Sequence, residues 1–175
     1  EDRLLALAEA AGSPYRAVVS AGICGGFPDR AALGAIVLGT RSIAADLGAE
    51  SPDGFIPVDD LGMSPEQLGG GSTITADPIL LGQLSAALPD ATTGAVLTLS
   101  TVTGTAESAE RLAARHPDAV AEAMEGYGVA VAAAQAGLPF AELRAVSNPI
   151  GPRDRGAWRI RAAFDALTAA AVALG

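Results

Sequence analysis

At 175 residues the chain has room for one domain, and with half its residues hydrophobic it can bury a sizeable core. A net charge of −9 argues against nucleic acid as a partner, because a phosphate backbone requires clustered positive charge. A single Cys excludes an internal disulfide, one Cys with one His is too few for a zinc site, and no apolar run approaches the roughly 20 residues of a membrane span. No metal or other cofactor is expected, and the expected location is the cytoplasm.

Taken in order, Asp2 to Ala11 has apolar residues at helical spacing, and Gly12-Ser13-Pro14 stops it. Arg16 to Gly22 reads as a buried strand leading into Ile23-Cys24-Gly25-Gly26-Phe27, where adjacent glycines allow a tight turn and close approach to a ligand. Neither a GxGxxG nor a GxxxxGK[ST] spacing is present, which argues against dinucleotide and P-loop sites. Cys24 reads as a packing residue, since the only His, His116, sits at a helix end and offers it no base. Gly34 to Ala45 is a second strand, and Asp46 to Gly71 is a long Gly- and Pro-rich loop with Phe55 and Ile56 as its strong apolar anchors.

A helix is expected over Thr75 to Leu88, capped by Thr75 or Asp77 with Pro78 in its first turn. Thr92 to Thr101 reads as a strand, and Thr105 to Arg115 as a helix with acids early and arginines late. Ala119 to Arg155 reads as strand, helix, strand, the strands ending at Met124-Glu125-Gly126 and Ser147-Asn148-Pro149. Gly156 to Leu174 closes the chain as a helix. Alternating strands and helices imply a mostly parallel sheet covered on both faces. In such sheets ligands bind at the carboxyl ends of strands, so Glu125 and Asn148 are expected to face one crevice. Helix or turn capping is the alternative role for both.

Three segments carry a resemblance. Ser20-Ala21-Gly22-Ile23-Cys24-Gly25-Gly26 resembles the GxxGG turn of the purine nucleoside phosphorylase and nucleosidase superfamily. Met124-Glu125-Gly126 resembles its Met-Glu segment, and Arg144-Ala145-Val146-Ser147-Asn148 the segment that ends its last core strand. Within that superfamily, futalosine hydrolase sequences are similar in Ala-Asp-Leu-Gly-Ala-Glu (45–50), Pro-Asp-Gly-Phe (52–55) and Ser-Asn-Pro-Ile-Gly-Pro-Arg-Asp-Arg (147–155). The resemblance implies a three-layer αβα sandwich with a mostly parallel, mixed central sheet. It implies one domain over residues 1–175, without the family's N-terminal strand or strands, where the nucleosidases carry a water-activating Glu.

The implied activity is hydrolysis of the N-glycosidic bond of futalosine, releasing hypoxanthine in a menaquinone pathway. By the resemblance Glu125 clamps the ribose diol, with Met124 against the sugar face. Asn148 meets the base; its amide N–H groups suit the N7 and O6 acceptors of a 6-oxopurine, whereas relatives that cleave adenine carry Asp there. Val102 and Thr103 flank the base, and Gly25 and Ser147 complete the substrate contacts. Arg153, Arg155 and Arg159 are candidates for the carboxylate on the substrate's tail, with Arg153 foremost. The resemblance further implies a homodimer or higher homo-oligomer in which Phe55 reaches the partner's site. Phosphate-dependent cleavage of a 6-oxopurine nucleoside and catalytically silent nucleoside binding both stay open on the sequence.

Overall fold

The computed structural model describes residues 15–62 and 71–175. The helix expected over 2–11 and residues 63–70 of the long loop lie outside them. The architecture is the expected α/β one, with a mixed central sheet and helices packed around it. Strands β1 (Val18–Gly26), β2 (Ile36–Ala44), β5 (Thr73–Thr75), β6 (Thr92–Thr98), β7 (Ala119–Ala123) and β8 (Phe140–Pro149) form it in the order β5-β2-β6-β7-β1-β8. Three neighbour pairs are parallel: β2 with β6, β6 with β7, and β1 with β8. β2 also pairs antiparallel with β8 through Ile36–Gly39 and with β5 through Arg41–Ile43. The β2–β8 pairing joins the two sides of the sheet, so β2, β6, β7, β1 and β8 curl into a ring.

β7 and β8 up to Ser147 are buried at every residue rather than at alternate ones, as strands covered on both faces must be. Val37, Leu38, Ala95, Val96, Leu97, Ala119, Ala121, Ala141 and Ala145 are fully buried. Helix α1 (Pro78–Ala87) and the closing helix α4 (Ile160–Leu174) share one apolar cluster, in which Leu84 and Ala170 meet Leu38 and Leu143. Helix α2 (Ala106–Arg115) sets Ala109 and Leu112 against Phe27, Leu97 and Leu99. Helix α3 (Gly126–Gln135) uses Ala130 and Ala133 to lie close against Phe140.

Four expectations are corrected in detail. The strand expected to end at Gly22 runs on to Gly26, because the segment read as a turn keeps pairing with β8. The long loop contains a two-stranded hairpin, β3 (Gly48–Ser51) and β4 (Gly54–Pro57), turned at Pro52-Asp53, with Gly54 directly after the turn at φ +120. Helix α1 begins later than expected: Thr73–Thr75 extends β2's edge instead, and the cap is Asp77, whose Oδ1 accepts from Leu80 N–H at 2.8 Å. Residues 156–159 precede the closing helix as a short 3-10 turn and linker, begun by Asp154 accepting from Gly156 N–H.

The β1–β8 register sets up everything that follows. It is regular from Val18 opposite Phe140 to Cys24 opposite Val146, then slips so that Gly25 faces Asn148. Ser147 is the extra residue of this bulge. A bulge at a strand end re-aims the side chains beside it.

Candidate functional site

The strand ends of β7, β1 and β8 open onto a cavity of about 280 Å³. It is walled by Gly25, Glu122, Met124, Glu125, Ser147 and Asn148, with Val102, Thr103, Arg153 and Trp158 around the mouth. Glu125 and Asn148 therefore face one space, as expected from strand ends. Met124, Gly25, Val102, Thr103, Ser147 and Arg153 face it too. Phe55 does not; on β4 it lies under the Arg115 guanidinium, 4.3 Å from ring centroid to Cζ, in an adjoining cavity that also touches Val102 and Thr103. Arg155 and Arg159 are likewise not on the cavity wall. Arg159 donates instead to the Gly156 and Trp158 carbonyls at 2.8 and 3.0 Å.

Glu125 occupies the N-cap position of α3, yet its side chain makes no capping hydrogen bond. Its Oε2 accepts from Arg144 Nη1 at 3.0 Å. Arg144 is 2% exposed and would be a costly orphan in this core. Its Nε donates to Glu142 Oε1 at 2.8 Å, and Nη2 donates to Ser20 Oγ at 3.1 Å. Glu142, also fully buried, accepts from the Ser42 hydroxyl with its other oxygen. Burial pushes the Glu142 carboxyl up, and Arg144 together with Ser42 pulls it back. Glycine makes room for this pair: a Cβ on Gly126 would sit 2.1 Å from Glu142 Oε1, and one on Gly22 2.6 Å from Arg144 Nη1. The outcome is a carboxylate, 64% exposed in its side chain, held at the cavity wall by a cation that the core itself fixes. It retains acceptor sites for hydroxyl or other donors from the cavity.

Asn148 is oriented by its neighbours on the bulge. The Ser147 hydroxyl lies 2.8 Å from Asn148 Oδ1 and 3.1 Å from the Cys24 carbonyl. With Oδ1 engaged there, Nδ2 points outward and donates to the Pro149 carbonyl at 3.0 Å. An amide carries two N–H donors, so one is left for a ligand acceptor.

Cys24 is buried and its thiol is pushed up to about 12 by burial, with Arg144 pulling the other way. A thiol so far from ionising is no nucleophile. The packing role read from the sequence fits this environment. Met124 leaves 48% of its surface exposed beside Glu125, an apolar and polarizable patch on the wall. Arg153 stacks its guanidinium over Trp158 at 5.6 Å and lays its aliphatic stem along Gly104.

Sequence reasoning missed the support behind this wall. Along the sequence Arg144 stands out only as part of a motif, and Glu122 and Glu142 not at all. A signal was available: a Glu or Arg inside an apolar strand is seldom buried unless something pairs with it. Glu142 and Arg144, two apart on a strand, also share a face. Among the described residues no group of three or more His, Cys, Asp and Glu could hold a metal ion, and no helix is long and apolar enough to cross a membrane.

Residues 3–174 match the family model of the Phosphorylase superfamily. A futalosine hydrolase from Streptomyces coelicolor is 55% identical over 90% of this chain, and one from Acidothermus cellulolyticus is 48% identical over 92%. The chain spans 64% and 65% of the lengths of those two relatives. A futalosine hydrolase from Thermus thermophilus is 35% identical over 93% of this chain, which covers 71% of it. Among solved structures, the futalosine hydrolase of Helicobacter pylori superposes with a TM-score of 0.78 at 15% identity, covering 98% of this chain and 72% of its own. An S-adenosylhomocysteine nucleosidase from Streptococcus pyogenes gives 0.80 at 19%, covering 98% and 71%. At these identities the structural likeness speaks to the fold.

Proposed function

Because the chain belongs to the Phosphorylase superfamily and, within it, to the futalosine hydrolase family, we propose that it hydrolyses the N-glycosidic bond of futalosine and releases hypoxanthine. One observation carries the reading: an anchored carboxylate, Glu125, and an oriented amide, Asn148, face a single cavity from the ends of β7 and β8, the two strands that flank β1.

The bond between the sugar's anomeric carbon and the purine nitrogen breaks with both electrons leaving on the base. The ribosyl group becomes oxocarbenium-like, and water adds to its anomeric carbon. Glu125 serves twice. Its free acceptor sites take the hydrogen bonds of the vicinal ribose hydroxyls, and its charge favours the cationic sugar. Arg144 holds that carboxylate in place so that no reorganisation is needed as charge develops. Met124 packs against the ribose face. Asn148 donates toward N7 and O6, where negative charge accumulates on the departing hypoxanthine, and solvent supplies the proton. Ser147 sets the direction of that donation. Gly25 lets the base approach the sheet, and the backbone of Val102 and Thr103 borders it.

Arg153 pairs with the carboxylate on the substrate's tail, its stacking on Trp158 having already restricted the side chain. The working unit is a homodimer in the cytoplasm, with Phe55 of each protomer turned toward its partner's cavity. That placement agrees with Phe55 lying outside the cavity of its own chain.

The test is to incubate the protein with futalosine, and separately with inosine, each with and without phosphate, following hypoxanthine by chromatography. Release from futalosine in phosphate-free buffer is expected. Release that requires phosphate, or binding with no release, overturns the hydrolytic reading.

A further inference from the structure

Glu122 is the buried charged side chain that the chemistry above leaves without a task. Among the described residues the other buried charges, Glu142 and Arg144, neutralise each other, whereas no ion pair reaches Glu122. It is 5% exposed and still forms part of the cavity wall. Its hydrogen bonds come from one residue: Thr103 N–H donates to Oε1 at 2.9 Å and the Thr103 hydroxyl to Oε2 at 2.5 Å. A carboxylate has about four acceptor sites, so roughly two stay open.

The sheet register shows where those sites lie. Glu122 of β7 stands opposite Gly25 of β1, and Gly25 stands opposite Asn148 of β8. Residues directly opposite one another share a face of the sheet. Glu122 and Asn148 thus flank a glycine in one rung across three strands, their backbones about 10 Å apart at two strand spacings. A Cβ on Gly25 would fall 2.6 Å from Ile150 Cγ2, 3.3 Å from Asn148 Nδ2 and 3.5 Å from Glu122 Cγ, so Ile150 packs onto the glycine between the two polar side chains. Both polar side chains also line the cavity, which thus carries an amide donor at Asn148 and a carboxylate acceptor at Glu122.

Resting on the proposed 6-oxopurine substrate, we propose that Glu122 accepts the N1–H of the base while Asn148 donates to its O6 and N7 side. A 6-oxopurine presents acceptor, acceptor, donor along the edge from N7 through O6 to N1–H. A 6-aminopurine presents acceptor, donor, acceptor. An ionised carboxylate only accepts, so it suits N1–H and opposes the lone pair of an unprotonated N1. Burial raises the Glu122 carboxyl, with the Thr103 bonds working against that rise. Burial thus makes a charge on Glu122 costly, and a substrate N–H offsets that cost. Glu122 is in this way a specificity-determining residue, and Thr103 is the residue that positions it.

The decisive experiment measures kcat/KM of the protein and of Glu122→Gln on futalosine and on its 6-amino counterpart. The Gln amide can turn a donor toward N1. The ratio of 6-amino to 6-oxo cleavage is expected to rise on the order of 100-fold, because a site built around one hydrogen bond rejects the partner lacking it. An equal fall on both substrates overturns the inference, since a carboxylate that merely holds the Thr103 loop affects both alike. Should Glu122→Gln fail to fold, an N1-methylated futalosine tests the native protein. It should be cleaved about 100-fold more slowly, and cleavage at the unmodified rate overturns the inference. If the native protein cleaves neither the 6-oxo nor the 6-amino nucleoside, the functional reading falls and takes this inference with it. If it cleaves the 6-oxo nucleoside but the ratio stays put, only the inference falls.

Discussion

The two walls of the cavity handle buried charge in opposite ways. On one side, Glu125, Arg144, Glu142, Ser42 and Ser20 form a connected chain in which each buried charge has a charged partner. On the other, Glu122 is buried with two donors from Thr103 as its partners among the described residues, across Gly25 from a neutral amide. A closed network behaves as scaffold: its groups are satisfied whether or not a ligand is present, so it holds Glu125 still. An open one leaves an acceptor unfilled, and such a group discriminates, because only a ligand of the right polarity completes it. The first wall suits a sugar common to many nucleosides. The second suits telling one base from another.

The most forceful way to break this contrast is Arg144→Leu. It leaves Glu142 buried without its cation, and breaking a buried pair from one side costs about 3–5 kcal/mol. Urea unfolding should show that loss; a cost under about 1 kcal/mol would mean the network does not support the wall. Glu125→Ala separates the wall's support from its chemistry. The Glu125 side chain is mostly exposed, so unfolding should change little, while kcat falls about 100- to 1,000-fold, as for removal of a preorganised charge-stabilising group. A variant that melts early instead would make Glu125 a structural residue.

Asn148→Asp probes the other wall. Turnover of the 6-oxo nucleoside should drop about 100-fold with the loss of one donor, and the preference should move toward the 6-amino counterpart. Unchanged selectivity would remove Asn148 from base recognition. The smallest effect lies in pH. Burial raises the folded-state carboxyl of Glu122 above its unfolded value. A raised value favours the fold fully below the unfolded value, and the benefit is lost as pH rises through the folded value. The melting temperature of the unliganded protein, relative to Glu122→Gln, should therefore fall as pH climbs from the ordinary carboxylate range toward neutrality. A gap that stays constant would indicate that Glu122 carries no burial penalty.

Much of this was legible along the chain. Apolar runs such as AVLTL (95–99) and the cap at Thr105, which accepts from Ser108 N–H at 3.1 Å, are local matters that neighbouring residues settle. The strand ends bearing Glu125 and Asn148 could be read for the same reason: a polar residue after a buried run marks where the chain leaves the core. Glu142 and Glu122 were harder. Each sits inside an apolar strand, and whether such a residue is paired, protonated or open depends on what lies across the sheet. Ser42 and Glu142 are 100 residues apart, and Thr103 and Glu122 are 19 apart.

The sequence by itself determined the longer strands and helices and their order, though not the β3–β4 hairpin or the edge strand β5, along with the small residues that let helices lie close to the sheet and the polar residues at the strand ends. It did so because backbone propensity, capping and apolar periodicity act over a few residues. Only the tertiary structure decided the register slip at Gly25, the rung that sets Glu122, Gly25 and Asn148 side by side, and the division between a neutralised and an unpaired buried glutamate. Those depend on which strands become neighbours. Strand pairing is fixed by the collective packing of a core whose members lie far apart in the chain, and a shift of one residue would turn each of these side chains to the other face.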